Sequence, residues 1–598
     1  MNPDHSVIIS RDFQSIFTGA VRYEIPFFQR GYAWTRDEWK ELLADLEEQV
    51  IAEVGDDGNF ADHEHFFGPV VVLEKPNAPH PNLKQFLIID GQQRLTTVYV
   101  LLIVLHGLLR DKKAHSPQAE GHAQALAPLL RNQLSGANDS YLELKVFSSK
   151  GDRLPTYYAL SGNQNPNSPA LAADQQLYVP GQNGIEALVT YLRRTLKSYD
   201  VPHLWQLAQA VTQSLKIVWI PLNNNDNPQA IFESLNGKGR PLSAAELLCN
   251  FMFRPLADDP ATNHEQLHNE KWLRAQNRVG PDNFETYLRL LFSITQSKMI
   301  GKGRRLYTHY KSQHRDLSLT SALADLTRIE QGTQSYLWVT DPANHAPDDA
   351  PLARTLRGIA ATSMTSAYPF LMAVLQNWQH GQLTLADTRQ LLRETYVLLV
   401  RRKLSGLPTN RYDTFFPNLL SKLISEPDKP RGLQKEAQQE GLFVSNQQLE
   451  DALVAKELYN QRDLPFARYV LEQLDQRLQA HGEMPDYTTI NTIEHVMPQT
   501  LDEDWKHDLG PAEANDVNLP RLRHTLGNLG LNSQSANSTY GNKSFATKKT
   551  QYAHPKSALT AAILAHPGHW NSAAIQDNSR QLAGTAQQIW AWTPPLIH

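Results

Sequence analysis

The stretch IIDGQQRLTTVYVLLIVLHGLL, residues 88–109, limits the fold more than any other. An apolar run of strand character, Gln85 to Asp90, ends at a single glycine and passes straight into a helix. That helix has no polar face, so every side of it must be covered. Its apolar core, Val98 to Leu109, is interrupted by His106 and Gly107 and is too short to span a bilayer. It is expected to be a core helix beside a sheet.

The rest of the first region, 1–245, also mixes strands with helices. Arg22 to Phe28, Phe66 to Leu73 and Leu215 to Leu222 read as strands, and Tyr141 to Phe147 as a weaker one within loop-rich residues 111–185. Thr35 with Glu38, and Ser243 with Glu246, have the spacing of capping boxes. Residues 246–455 form a mostly helical middle, broken by acidic and proline-rich segments near 257–261, 341–351 and 426–431. The third region, 456–598, opens with the helical FARYVLEQLDQRLQAHG, continues through the strand-like TTINTIEHVMP and ends in a basic tail. The expected class is α+β multidomain, with an α/β N-terminal domain, a helical middle and a C-terminal domain that opens with a helix and a strand.

Composition matters through what it excludes. A net charge of -5 does not suit a protein that coats nucleic acid, so DNA contact must come from local patches. One such patch is the acid-free run bearing Arg289, Lys298, Lys302, Arg304, Arg305, Lys311 and Arg315, with Tyr307 and Tyr310 interleaved. The single cysteine, Cys249 in LLCNFMF, rules out an internal disulfide framework and a cysteine-based zinc knuckle within one chain. The N-terminus shows no basic and apolar secretory pattern, so a cytoplasmic protein without a membrane anchor is expected.

The C-terminal region carries the first chemical constellation: Glu494 and His495 in IEHVMP, Asn528 in LGNLGL, then Asn537, Lys543 and Lys548. Phosphodiester hydrolysis needs a base for water, a hard cation for the developing charge, and a group that orients the base. His495 suits the base and Asn528 the orienting group. Glu494 and a side-chain oxygen of Asn537 suit Mg²⁺ or Mn²⁺, and Lys548 suits a phosphate contact. Taken singly, these residues also read as a surface pair and turn formers. Their polar groups interrupt apolar strand runs, which is costly unless they are paired or functional. Between Asp516 and Asp577 there are basic residues but no carboxylate, as befits a surface facing phosphate.

The second constellation is DGQQR itself. A helix start gathers N–H groups that favour anions, Arg94 adds a forked donor, Gly91 lets backbone approach a ligand, and Asp90 can hold a metal or water. Gln29 and Arg30 follow the apolar IPFF, and Phe232, Glu233 and Asn236 of IFESLNGKGRPLS come from a third segment. No GxxxxGK[ST] loop occurs, so a P-loop ATPase is excluded.

Around Glu494, His495, Asn528 and Asn537 the sequence resembles the HNH, or ββα-metal, nucleases, with Asn in place of the third letter. Together IPFFQRGYAW, IIDGQQRLTT and FESLNGKGRPLSAAELL resemble the ParB-like N-terminal domain of GmrSD-type modification-dependent restriction enzymes. In that family a helical middle joins this domain to an HNH-type domain. The resemblance implies a phage-defence type IV restriction endonuclease that cleaves double-stranded DNA with modified bases or backbone. It implies nucleoside triphosphate binding or hydrolysis by Gln29, Arg30, Asp90, Gly91, Gln92, Gln93, Arg94 and Asn236, and it leaves room for a homodimer. Two other readings remain open at this point: a nucleotide-gated DNA sensor whose nuclease site is weak or silent, and an NTPase that acts only through a partner protein.

Overall fold

The computed structural model describes residues 9–54, 58–75, 78–222, 242–257, 263–315, 317–479, 485–551 and 556–592. Its residues gather into two compact units, Met1–Glu270 with Gln313–Ala322, and Lys271–Ser312 with Leu323–His598. The helical middle from Lys271 onward and the C-terminal region therefore share the second unit, apart from the short stretch Gln313–Ala322.

The first unit is built on a mixed sheet. Its strands are β1 (Ile9–Asp12), β2 (Val21–Glu24), β3 (His65–Lys75), β4 (Lys84–Asp90), β5 (Val146–Phe147) and β6 (Leu215–Leu222), in the order β1-β6-β3-β4-β2-β5. The central β3 carries Val70, Val71 and Val72 fully buried, running parallel to β6 and antiparallel to β4. At the far side β4, β2 and β5 are mutually parallel neighbours. Parallel neighbours end at the same edge, so the segments after β2, β4 and β5 converge there despite their separation in sequence. In open α/β sheets this edge is where ligands bind.

Helix α1 (Gln92–Lys112) leaves β4 through Gly91, which has φ 92°. A Cβ at Gly91 would lie 2.8 Å from Val70 Cγ2 and 2.9 Å from Pro69 O, so glycine is required both by conformation and by space. The helix has no polar face because the helices Pro117–Leu130, Gly184–Leu196 and Val201–Gln209 pack around it. By length and composition it could cross a membrane, and it is the one such helix among the described residues, but it lies in the core of its unit. The expected strand Tyr141 to Phe147 shrinks to two residues. Asp139 accepts from Tyr141 N and starts a 3₁₀ turn, which removes the first half of the run from the ladder. Both predicted capping pairs form, Thr35 with Glu38 and Ser243 with Glu246.

In the second unit the helices Tyr368–Gln379 and Leu385–Leu404 form an apolar helical body. Helix α2 (Leu464–Leu478) leads to the C-terminal core. There β7 (Thr492–His495) pairs antiparallel with β8 (Leu529–Asn532), and α3 (Gln534–Tyr540) follows directly. Around this ribbon pack α4 (Phe545–Gln551), α5 (Ala558–Leu564) and α6 (Ser572–Ile589). Buried Asp475 of α2 accepts from Tyr487 Oη, Ser557 Oγ and Leu559 N at 2.7–2.8 Å, fixing the start of α5. Thr560 of α5 in turn bonds both backbone groups of Leu531, so the free edge of β8 is satisfied. Gly527, just before β8, lies so close to α6 that a Cβ would sit 2.0 Å from Ile575 O.

Candidate functional site

Two polar sites stand out, one in each unit. The first lies where β2 and β4 end. Gln29 donates to Ile88 O and Ile89 O, at 3.0 and 3.3 Å. Gln93 accepts from Ala33 N at 2.8 Å and donates to Gly31 O at 3.2 Å, while Gln92 donates to Arg30 O at 3.4 Å. The three glutamine amides therefore brace the segment after β2 against β4 and α1. The charged groups of the site are Asp90, Arg94 and Arg30, beside the N–H groups at the start of α1. Arg94 Nη1 donates to Pro69 O at 3.0 Å. A side chain at Gly68 would press on that guanidinium, because its Cβ would lie 2.9 Å from Arg94 Nε. Burial pushes the Asp90 carboxyl up, against the pull of Arg94, the Gly91 N–H and Arg30. Burial likewise pushes Arg94 down, against Asp90. A half-buried site with two guanidiniums and one carboxylate is suited to a phosphate accompanied by a cation or water. Gln92 Oε1 is buried without a hydrogen-bond partner among the described residues. Asn236, with Phe232 and Glu233, lies outside the described residues.

Sequence reading missed the supports of this site. Asp152, from the helix after β5, accepts from Tyr32 N at 2.6 Å and from Asn183 Nδ2 at 2.9 Å. Tyr32 Oη bonds Thr97 Oγ1 and accepts from Trp39 Nε1. The available signal was SSKGD, a helix-start pattern after a short strand.

The second site is the β7–β8–α3 element, and four of its predicted residues take places that differ from their expected tasks. Asn528 does not touch the imidazole of His495. Its Oδ1 accepts from Met497 N at 2.8 Å and Trp570 Nε1 at 2.9 Å; its Nδ2 donates to Met497 O at 2.9 Å and Arg523 O at 2.8 Å. With these bonds it fixes the chain just after β7, so it orients the segment and not the ring. Lys548 is fully buried and reaches no phosphate surface; its three protons point to Glu494 Oε1 at 2.7 Å, Val496 O at 3.0 Å and His495 O at 3.1 Å. Glu494 is thereby neutralised in an ion pair and is itself 2% exposed. Asn537 of α3 donates to Ile493 O at 3.2 Å and Thr492 Oγ1 at 3.3 Å, tying the helix to β7.

This arrangement does not fit a hard divalent cation on Glu494 and Asn537. The carboxylate already faces an ammonium at contact distance, and among the described residues no group of three or more His, Cys, Asp or Glu could hold a metal ion.

His495 occupies the opposite side of β7 from Glu494, since neighbouring residues of a strand alternate faces. Its Nε2 lies 3.2 Å from His524 Nδ1, and its Nδ1 lies 3.3 Å from Gln499 Nε2. Tyr459 stands edge-on to His495, with centroids 4.4 Å apart, and stacks on His524 at 5.6 Å. Burial, His524, Lys548 and Arg523, in that order, push His495 down to about 3, so its imidazole is neutral near pH 7. A neutral imidazole can accept a proton, but one pushed down this far accepts it weakly. Arg523 supports this side by donating to Gln499 O and Pro498 O, in the turn that carries Gln499. His524, Tyr459 and Gln499 were not foreseen. The available signal was RLRH, which puts a histidine four residues before Asn528.

The basic run of the middle region divides. Lys298, Lys302, Arg304 and Arg305 are exposed, but Arg289 is half-buried and donates to Ile300 O. Tyr307 and Tyr310 pack inward instead of facing solvent beside the cations. Their spacing on the helix Arg304–Gln313 places both on its apolar face.

Comparison with known families gives two matches. The model described as GmrSD restriction endonuclease, N-terminal domain, matches residues 11–253. The model described as GmrSD restriction endonucleases, C-terminal domain, matches residues 443–585. No curated protein matches the chain. The first match contains the Asp90–Arg94 site, and the second contains Glu494, His495, Asn528, Asn537 and Lys548.

Proposed function

The chain belongs to the GmrSD restriction endonucleases, and on that premise we propose that it is a type IV enzyme of phage defence, cutting double-stranded DNA that carries modified bases or backbone. His495 is the general base of an HNH-type site. It takes a proton from water, the water oxygen attacks phosphorus, and the bond from phosphorus to the departing sugar oxygen breaks. Asn528 holds the chain after β7, and the Glu494–Lys548 pair holds the strand's other face. The observation that carries this reading is a histidine held at the end of the first strand of an antiparallel pair, with a helix directly after the second. The hard cation that offsets the charge at phosphorus would have to be held by groups other than Glu494 and Asn537.

In the first unit, Asp90, Arg94 and Arg30 with the start of α1 bind the phosphates of a nucleoside triphosphate, and this binding governs cleavage. The support is convergence: parallel strands bring the segments after β2 and β4 to one edge, at a helix start. A second reading is favoured by one observation. The carboxylate expected to bear a metal is neutralised by Lys548, which would suit a nucleotide-gated DNA-binding protein with a silent nuclease.

The test is cleavage of phage DNAs that differ only in modification, with and without each nucleoside triphosphate. Cutting of modified DNA that responds to nucleotide is expected. DNA binding without any strand break would favour the silent-nuclease reading.

A further inference from the structure

Two side chains hold the ring of His495. Gln499 presents its side-chain amide to His495 Nδ1 at 3.3 Å. His495 Nε2 faces His524 Nδ1 at 3.2 Å, so one of the two imidazoles donates to the other.

The second imidazole is itself held firmly. Leu458 N and Tyr459 N both donate to His524 O, at 2.9 and 3.1 Å. Glu457 and Thr525 form an antiparallel bridge beside it. The Tyr459 ring stacks on His524 while its edge contact limits rotation of His495. The sequence LRH-TLGN thus serves twice: His524 meets the ring of His495, and Asn528 fixes the backbone that follows it.

We infer that His524 is a positioning residue for the nuclease: its ring nitrogen bonds His495 Nε2 and holds that imidazole in one orientation at the end of β7. The inference rests on the reading of His495 as the base. Loss of a hydrogen-bonded partner that orients a catalytic ring weakens catalysis without removing the catalytic group.

The experiment uses the full chain and follows cleavage of a modified phage DNA that the wild type cuts. Four variants are compared with the wild type: His524→Leu, His524→Asn, His495→Ala, and His495→Ala combined with His524→Leu. Asparagine keeps a hydrogen-bonding group near the position of the ring Nδ1, and leucine removes it. The expected result is a fall in kcat of about 10–100-fold for His524→Leu with KM unchanged, and recovery of most of that loss in His524→Asn. Adding His524→Leu to His495→Ala should cost nothing further, because the two residues act as one unit. Should His524→Leu fail to fold, His524→Ala with added imidazole replaces it; recovery supports the inference and its absence overturns it. A wild-type kcat in His524→Leu, or asparagine no better than leucine, also overturns it. If His495→Ala cleaves at the wild-type rate, the base assignment itself fails; if His495→Ala is inactive while His524→Leu is unimpaired, only the present inference falls.

Discussion

Lys548→Met removes one half of a buried ion pair and leaves the other half in place. Lys548 Nζ lies 2.7 Å from Glu494 Oε1, and neither side chain has appreciable exposure. At an effective dielectric constant of about 20, the direct attraction across that distance is about 6 kcal/mol, most of it offset by the desolvation of both groups. Two carbonyls, His495 O and Val496 O, also lose their donor. The expected net cost is about 3–5 kcal/mol, the range for stranding one buried charge. Replacing both partners, in Glu494→Leu with Lys548→Met, should recover most of that cost, because no unpaired charge remains. The assay is urea unfolding followed by tryptophan fluorescence, since Trp505 and Trp570 belong to the adjacent core. A cost below about 1 kcal/mol for Lys548→Met, or a double variant less stable than the single, would refute the reasoning.

Three further outcomes follow from other parts of the structure. Because His495 is pushed down to about 3 from 6.5, its folded form resists a proton that the unfolded chain accepts; stability is unaffected above pH 6.5 and falls between pH 6.5 and 3. His495→Gln should therefore reduce the acid loss measured by unfolding midpoints, by up to about 1.4 kcal/mol per pH unit in that window; identical pH curves would contradict it. Arg94→Ala should weaken nucleotide binding about 10–100-fold by calorimetry, the worth of a charge-assisted hydrogen bond, and normal affinity would misplace the site. Arg304→Ala with Arg305→Ala should lower the salt slope of DNA affinity by about 2, near 0.9 for each phosphate that no longer meets a cation, and an unchanged slope would retire that surface.

Local patterns were legible where a residue's task is settled by its near neighbours. The run IIDGQQRLTT announced a strand, a glycine turn and a buried helix, and all three are present. Both capping pairs could be read from spacing alone. Glu494 and His495 end a strand, Asn528 ends the turn before the second strand, and Asn537 lies on the helix that follows. Their partners were not legible. The bond between Lys548 and Glu494 joins residues 54 apart, and Tyr459 reaches His495 from a separate segment. A sequence displays that a polar group interrupts an apolar run, but the group that satisfies it depends on packing. Tyr307 and Tyr310 illustrate the same limit, since alternation with cations did not reveal which face of the helix would be covered.

The central claim is that His495 performs the chemistry of a DNA endonuclease. It is tested most directly by single-turnover cleavage of modified phage DNA by the wild type and by His495→Ala at saturating enzyme, with DNA binding measured in parallel. The account predicts cleavage slowed by about 10²–10⁴-fold with DNA affinity retained; cleavage by His495→Ala at the wild-type rate would contradict it.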